Sequence, residues 1–283
     1  MKSVKSVVKH NGFSLTEVLI AVGILSVGMI FVAGVFPAGI YLMTIATERT
    51  IAAVAADEAF AKIRIYAVGD LNDTSDDIKF NNLKEDELMD FNDPTVFPAT
   101  SGIKADEFAY PSADTNDSKQ YCWSALCRLT EAYNPVTDPN RLVQVTVFVC
   151  RKVSPNLKYY RPNPSGSGEV TWPPDITNRP VPVKVGVNSV LGPGHENELS
   201  IRVSDEKTFI NDGYTIVDDA TGRIYRVLER YKNPDDTILL DRNWDDKDWQ
   251  GNPNPPQNVW VVPPPVGGGR YPCIAVYQKV IRF

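Results

Sequence analysis

The chain has 283 residues, 43% hydrophobic and 23% charged, an ordinary balance for a folded protein with one large or two smaller domains. Its 22 prolines and 18 glycines favour a turn-rich, β-rich architecture over a helical one. The formal net charge is −6, and three lysines lie in the first twelve residues, so the remainder of the chain is more acidic still. Such a surface repels phosphate backbones and argues against nucleic acid as a partner.

A long uncharged segment follows the basic N-terminus. Residues 18–47 contain no charged side chain and are rich in Val, Ile, Leu, Ala and Gly. A helix of this length, at about 1.5 Å per residue, is longer than the roughly 30 Å of hydrocarbon in a bilayer. Because Lys2, Lys5 and Lys9 mark the cytoplasmic side, we expect a single membrane pass with the body outside the cytoplasm. The run is too long for a cleaved secretory signal peptide, whereas an unprocessed signal anchor stays an alternative.

The stretch HNGFSLTEVLIAVGIL (10–25) places one acid, Glu17, at the start of the apolar run. A carboxylate at the bilayer centre costs about 2.5–3.5 kcal/mol but less near the interface, so Glu17 is also compatible with a simple headgroup position. The complete arrangement consists of lysines, then Gly12 and Phe13, then Glu17, then an unbroken apolar helix. This arrangement resembles the N-terminal signal of type IV prepilins and pseudopilins.

The resemblance covers about the first 55 residues and implies specific roles. Residues 1–12 would be a leader that a prepilin peptidase removes after Gly12, and Phe13 would become the new, N-methylated N-terminus. Glu17 would pair with the terminal amine of a neighbouring subunit and set the register of assembly. The implied partners are other pilins or pseudopilins, the prepilin peptidase, the inner-membrane assembly platform and membrane lipid, with the chain assembled into a pilus or pseudopilus.

The helix is expected to continue beyond the membrane, so that residues 13–68 form one transmembrane and stem helix. Apolar residues recur at spacings of three and four and predict the face that packs against the body. These residues are Ile51, Val54, Ala55, Ala59, Ile63 and Tyr66. Gly69 is a plausible stop signal.

Residues 69–153 are expected to form a β-sheet domain packed on the helical stem, as in pilin-like folds. Two apolar segments, 121–133 and 141–153, flank the turn sequence NPVTDPN and predict a hairpin. If Glu131 faces Arg141, then Cys122 lies opposite Cys150.

Four cysteines in an exported chain permit disulfides. The hairpin register favours a disulfide between Cys122 and Cys150. Cys127 and Cys273 would then either pair with each other or both stay free. The alternative is four small buried apolar side chains without any disulfide.

The C-terminal half divides into a proline-rich segment and a second β-rich unit. Residues 154–184 contain seven prolines and read as a linker or long excursion. Residues 185–283 contain six strand candidates, which fit a small barrel or sandwich. Gly222 is suited to a turn with positive φ between two of them. The last strand, which includes Cys273, belongs either to this unit or to the first sheet.

Few residues suggest chemistry. The stretch HENEL (195–199) lacks the second histidine of a zinc-protease helix, and His195 reads as a solvated loop residue. One acidic loop offers alternating oxygen ligands for calcium but departs from the EF-hand pattern at its sixth and twelfth positions, so a solvated loop is the alternative. Its ligand candidates are Asp241, Asn243, Asp245, Asp246 and Asp248. Four tryptophans could form a recognition surface or act as core anchors: Trp172, Trp244, Trp249 and Trp260.

We therefore expect an α+β fold, with a long N-terminal helix packed on an antiparallel sheet and followed by a β-rich unit. The resemblance implies a minor pilin or pseudopilin of a type IV pilus or type II secretion system, a structural subunit and not an enzyme, without a cofactor unless calcium binds. Major subunits of this family are generally smaller, which favours a low-copy role, and Glu17 argues against the largest tip-type subunit. The alternative is a membrane-anchored extracytoplasmic binding protein whose β-rich unit recognises a ligand.

Overall fold

A computed structural model describes residues 12–67, 83–93, 105–111, 119–130, 142–154, 156–162, 168–172, 175–190, 194–231, 237–245 and 255–282. The leader up to position 11 and the stop signal at Gly69 lie outside these residues. The chain forms two compact units, Met1–Glu48 and Arg49–Phe283.

One α-helix, two short 3-10 helices (Ala105–Phe108 and Ser204–Phe209) and thirteen strands, numbered in chain order, make up the regular structure of the described residues. The helix α1 spans Leu15–Ala67. The strands are β1 Met89–Asp90, β2 Ala109–Tyr110, β3 Tyr121–Leu129, β4 Leu142–Arg151, β5 Tyr159–Tyr160, β6 Ile176–Thr177, β7 Val183–Ser189, β8 Glu198–Ile201, β9 Thr215–Asp218, β10 Ile224–Tyr231, β11 Thr237–Leu240, β12 Asn258–Val261 and β13 Cys273–Arg282.

The C-terminal part of α1 packs on a sheet through a face made largely of alanine. Ala52, Ala55, Ala56, Ala59, Phe60 and Ile63 are buried in one apolar cluster with residues of β3 and β4. Small side chains on this face let the helix backbone approach the sheet closely. The predicted stripe is correct at Ala55, Ala59 and Ile63, but Val54 is 51% exposed. Val54 is two residues from Ala52, about 200° around the helix, and therefore points away from the buried face.

The sheet is five-stranded and antiparallel, in the order β1-β3-β4-β13, with β2 also paired to β3. The predicted hairpin register is confirmed, because Tyr121 lies opposite Arg151 and Cys122 opposite Cys150. The predicted turn and the Glu131–Arg141 pair lie outside the described residues. Nearly all side chains of β3 and β4 are buried on both faces of the sheet, because a different part of the fold covers each face.

The two faces of the sheet belong to different apolar clusters. Odd-numbered residues of β3 and β4, such as Trp123 and Val147, pack with α1. Even-numbered residues, such as Leu126 and Phe148, pack with Val217 and Trp260 of the barrel described below. The alternation of strand side chains thus lets one sheet join the helix to the second β unit.

The second β unit is a closed six-stranded barrel in the order β10-β11-β8-β7-β12-β9. Its interior is filled by aliphatic and aromatic side chains, including Val185, Leu199, Ile216, Val227 and Val259, all nearly inaccessible. Gly222, in the turn between β9 and β10, has φ +70°, as predicted from the sequence. The expected α+β class, with a sheet-packed helix and a β-rich second unit, is therefore the fold that the structure has.

Two expected boundaries need correction, and the placement of the last strand, which the sequence left open, is decided. The predicted linker 154–184 contains the paired strands β5 and β6 and the first residues of β7, so it is not a plain connector. The barrel begins at Val183 and not at 185, because β7 pairs with both β8 and β12. The last strand, β13, pairs with β4 along its whole length and belongs to the first sheet, so the barrel does not extend to the C-terminus.

Candidate processing and assembly site

The start of α1 carries the residues that the sequence singled out. The carbonyl oxygen of Ser14 accepts the backbone N–H groups of Glu17 at 3.0 Å and Val18 at 3.2 Å, which closes the first helical turn. The hydroxyls of Ser14 and Thr16 are hydrogen-bonded at 2.7 Å. Glu17 lies in this first turn and is exposed, where its negative charge is favourable to the positive end of the helix dipole.

Gly12 precedes the helix, with space around it. A Cβ atom built at Gly12 meets no other atom within 4 Å, and its φ is not positive. The fold of this chain therefore does not itself require glycine at position 12. A requirement for glycine there would come from a second protein that handles this segment.

The first half of α1 presents apolar side chains on all sides. Phe13, Leu19, Ile24, Phe31 and Met43 are each at least 63% exposed. Among the described residues, one helix is long and apolar enough to cross a membrane, and its most apolar 18-residue window has a mean hydropathy of 2.7 with no part buried. A helix that is apolar all round is stable in hydrocarbon or among other apolar helices.

The cysteines are all free and buried. Cys122, Cys150 and Cys273 lie in register across three neighbouring strands of the sheet. Cys127 faces the helix side, opposite Val145, and is separated from Cys273, so the structure does not bring that predicted pair together. The predicted register that places Cys122 opposite Cys150 is correct, whereas the disulfide between them stays a prediction.

The acidic loop after β11 uses its described side chains for contacts within the barrel. Asp241 Oδ1 accepts the backbone N–H of Arg226 at 3.0 Å. Asp245 pairs with Arg223, and Asn243 is exposed. Asp246 and Asp248 lie outside the described residues, and among the described ones no group of three or more metal-binding side chains is assembled. A calcium site in this loop stays a prediction.

The tryptophans divide between core and surface. Trp244 and Trp260 are buried, so they act as anchors and not as a recognition surface. Trp172 is 45% exposed and stacks on Phe209, beside Tyr160. Trp249 lies outside the described residues.

His195 lies on the surface, where its Nδ1 is 2.9 Å from Glu198 Oε2. The segment that begins at Glu198 is the strand β8 and not a helix. The resemblance to a zinc-protease helix therefore fails in structure as well as in sequence.

A buried polar network that the sequence did not predict lies between the sheet and the barrel. Lys184 Nζ is 2.8 Å from Glu87 Oε1 and 3.1 Å from Asp219 Oδ2. Trp260 Nε1 donates to Asp219 at 2.6 Å. Burial raises the pKa of Asp219 to about 6, while the two carboxylates outweigh burial and raise the pKa of Lys184. The only sequence signal was a lysine between the two valines that begin β7.

Comparison with known proteins identifies the N-terminal segment. Residues 8–33 match the family model described as the prokaryotic N-terminal methylation motif. No curated protein and no solved structure matches the chain. The match includes Gly12, Phe13 and Glu17 and continues into the exposed apolar helix. The N-terminal segment of this chain therefore carries the prepilin-type cleavage and methylation motif of type IV pilins and pseudopilins.

Proposed function

We propose that the chain is a minor, non-catalytic subunit of a type II secretion pseudopilus or a type IV pilus. The observation that carries the proposal is the methylation motif at residues 8–33, which runs directly into a helix with exposed apolar side chains. In this proposal the chain is inserted in the inner membrane with its body outside the cytoplasm. A prepilin peptidase cleaves it after Gly12, and the assembly platform adds it to a filament.

The exposure of the helix supports a change of surroundings during assembly. Apolar side chains such as Leu19 and Phe31 are more than 60% exposed and require a water-free environment. The bilayer provides this environment first, and neighbouring subunit helices provide it in the filament. Gly23 and Gly34 have open space where a Cβ would stand, which leaves room for close contact with another helix.

The position of Glu17 supports a role in subunit docking. Cleavage after Gly12 creates an ammonium group on Phe13, four residues before an exposed carboxylate. The carboxylate of one copy attracts the ammonium of the next, and the attraction strengthens where water is excluded. A pair of this kind in an apolar setting fixes register more than it adds stability.

Co-expression with a prepilin peptidase tests the proposal. We expect the chain to lose twelve residues and to acquire an N-methylated Phe13, which mass spectrometry of the intact protein detects. Gly12→Val should block cleavage, whereas Gly23→Val in the apolar helix is the matched control and should be cleaved normally. At neither position does an added Cβ atom meet another described atom within 4 Å, so a specific loss at Gly12 reports on the peptidase.

Isolation of the cleaved chain from membranes should then recover other pilin-like subunits. A chain that keeps its leader in the presence of the peptidase, and that never associates with such subunits, would contradict the proposal. That result would favour the membrane-anchored binding protein instead.

A further inference from the structure

Three of the four cysteines form a row across the sheet. Cys122 on β3 lies opposite Cys150 on β4, and Cys150 lies opposite Cys273 on β13. All three belong to the apolar cluster between the sheet and the barrel. Cys150 therefore has two cysteine neighbours and can form a disulfide with only one of them.

The backbone hydrogen bonds distinguish these two neighbours. Arg151 N–H donates to the carbonyl of Pro272 at 2.8 Å, so Arg151 and Pro272 are a hydrogen-bonded pair and Cys150–Cys273, the next pair along, is a non-hydrogen-bonded pair. The bulge of β13 lies on the other side of this pair, between Cys273 and Ala275. On the other side, Lys152 N–H donates to Gln120 at 2.6 Å. Because the two kinds of position alternate, Cys122–Cys150 is a hydrogen-bonded pair.

Non-hydrogen-bonded pairs bring side chains closer together. Their Cα atoms are about 4.5 Å apart, against about 5.5 Å in hydrogen-bonded pairs, and their Cβ atoms are correspondingly closer. A disulfide needs Cβ atoms about 3.5–4.5 Å apart, which favours Cys150–Cys273. The pKa of Cys150 is raised by burial first and next by its interaction with the neighbouring thiol of Cys273, ahead of any effect of Cys122.

We propose that Cys150 and Cys273 form a disulfide that fastens the last strand of the chain to the sheet. The inference goes beyond the proposed function but uses its placement of the body in an oxidising compartment. The oxidant is a disulfide, either of a thiol oxidase or of oxidised glutathione. The two thiols lose their protons and two electrons and form one S–S bond, while the oxidant disulfide takes up both electrons and protons and becomes two thiols.

The disulfide would close a loop that contains the whole barrel. Residues 151–272 lie between the two cysteines, and all six barrel strands lie between β4 and β13 in the sequence. Closing so long a loop removes much conformational freedom from the unfolded chain. The bond would therefore oppose detachment of β13 more than a bridge within the β3–β4 hairpin would.

The other two cysteines would stay thiols. Once Cys150 pairs with Cys273, Cys122 has no free cysteine opposite it, and burial raises its pKa to about 11. Cys127 lies on the helix side of the sheet, away from the row.

Peptide mapping of the full chain tests the pairing. One sample is isolated from membranes in detergent and then denatured with an alkylating reagent present. A second is reduced in denaturant, refolded in a glutathione redox buffer, and then denatured and alkylated in the same way. Both are digested without reduction. We expect a peptide joining Cys150 to Cys273, with alkyl groups on Cys122 and Cys127.

A Cys122–Cys150 peptide in the refolded sample, or four alkylated cysteines there, would overturn the pairing. The expected peptide in the refolded sample but not in the membrane sample would support the pairing and contradict the exported placement of the proposed function. The two proposals therefore fail in different samples.

Thermal unfolding with and without dithiothreitol gives a second measurement. Reduction should lower the Tm of the wild-type chain by about 10 °C. In Cys273→Ala the reductant should have no effect, whereas the matched control Cys127→Ala should keep the full shift. An equal Tm in both conditions for the wild-type chain would overturn the proposal.

Discussion

Lys184 Nζ lies 2.8 Å from Glu87 Oε1 and so joins β7 of the barrel to the segment that precedes the sheet. The two residues are 97 positions apart, and the lysine side chain is only 5% exposed. The same ammonium contacts Asp219 in the turn after β9. One buried cation thus holds two carboxylates from different parts of the fold.

Replacing this lysine should destabilise the body strongly. In Lys184→Met, the buried carboxylate of Asp219 and the partly exposed one of Glu87 would lose the cation, at a cost of about 3 kcal/mol in the free energy of unfolding. Denaturant unfolding in detergent, followed by tryptophan fluorescence, measures the change. Lys84→Met is the matched control, because Lys84 contacts the same Glu87 at 2.8 Å but is 58% exposed and should cost less than about 1 kcal/mol.

Glu206 should make stability fall as the pH rises. Its side chain is buried, its Oε2 has no hydrogen-bond partner among the described residues, and burial raises its pKa from 4.5 to about 7. Between these values the folded chain holds a proton that the unfolded chain has released. The stabilising contribution is therefore complete below about pH 4.5 and is lost as the pH passes 7.

Glu206→Gln should remove this dependence, because the amide stays neutral. At pH 8 the variant should be more stable than the wild type by about 1–3 kcal/mol, and its unfolding free energy should vary less between pH 5 and 7. Unfolding curves at several pH values provide the measurement. Asp205→Asn changes an exposed neighbour on the 3-10 helix Ser204–Phe209, whose charge adds less than burial to the raised pKa of Glu206. This variant should keep most of the wild-type trend, and a flattened profile there would count against Glu206 as its source.

Gly222 should be sensitive to substitution for two separate reasons. Its φ of +70° is unfavourable for other residues, and an added Cβ would stand 2.5 Å from Gln144 Nε2 on β4. Gly222→Ala should cost roughly 2–4 kcal/mol of unfolding free energy. Gly213→Ala is the matched control, with φ +80° but open space around the Cβ, and should cost only about 1 kcal/mol. Equal losses would show that the contact with Gln144 contributes nothing.

The sequence predicted those features that depend on neighbouring residues. The register that places Cys122 opposite Cys150 followed from one hairpin, and the positive φ of Gly222 followed from one turn. The processing motif was visible because Gly12, Phe13 and Glu17 lie within six residues.

Features formed by distant residues could not be predicted in the same way. The pairing of β13 with β4 joins segments more than 120 residues apart, and an apolar strand pattern does not specify its partner. The strand β7 was missed because the preceding prolines obscured its start. The contact of Lys184 with Glu87 joins residues 97 positions apart, and no local pattern specifies it.

Glu17 should be required for assembly and not for membrane insertion. Glu17→Gln keeps the size of the side chain but removes the charge that would attract the Phe13 ammonium of a neighbouring copy. We expect cleavage and membrane fractionation like those of the wild type, but at least a tenfold lower amount in sheared filaments, measured by immunoblotting of both fractions. Ser14→Ala is the matched control in the same turn. It should assemble normally, because the backbone carbonyl of Ser14, which accepts the N–H groups of Glu17 and Val18, is kept in the variant. Wild-type incorporation of Glu17→Gln would exclude the charge from the docking step, whereas loss of the variant from the membrane would assign Glu17 to insertion.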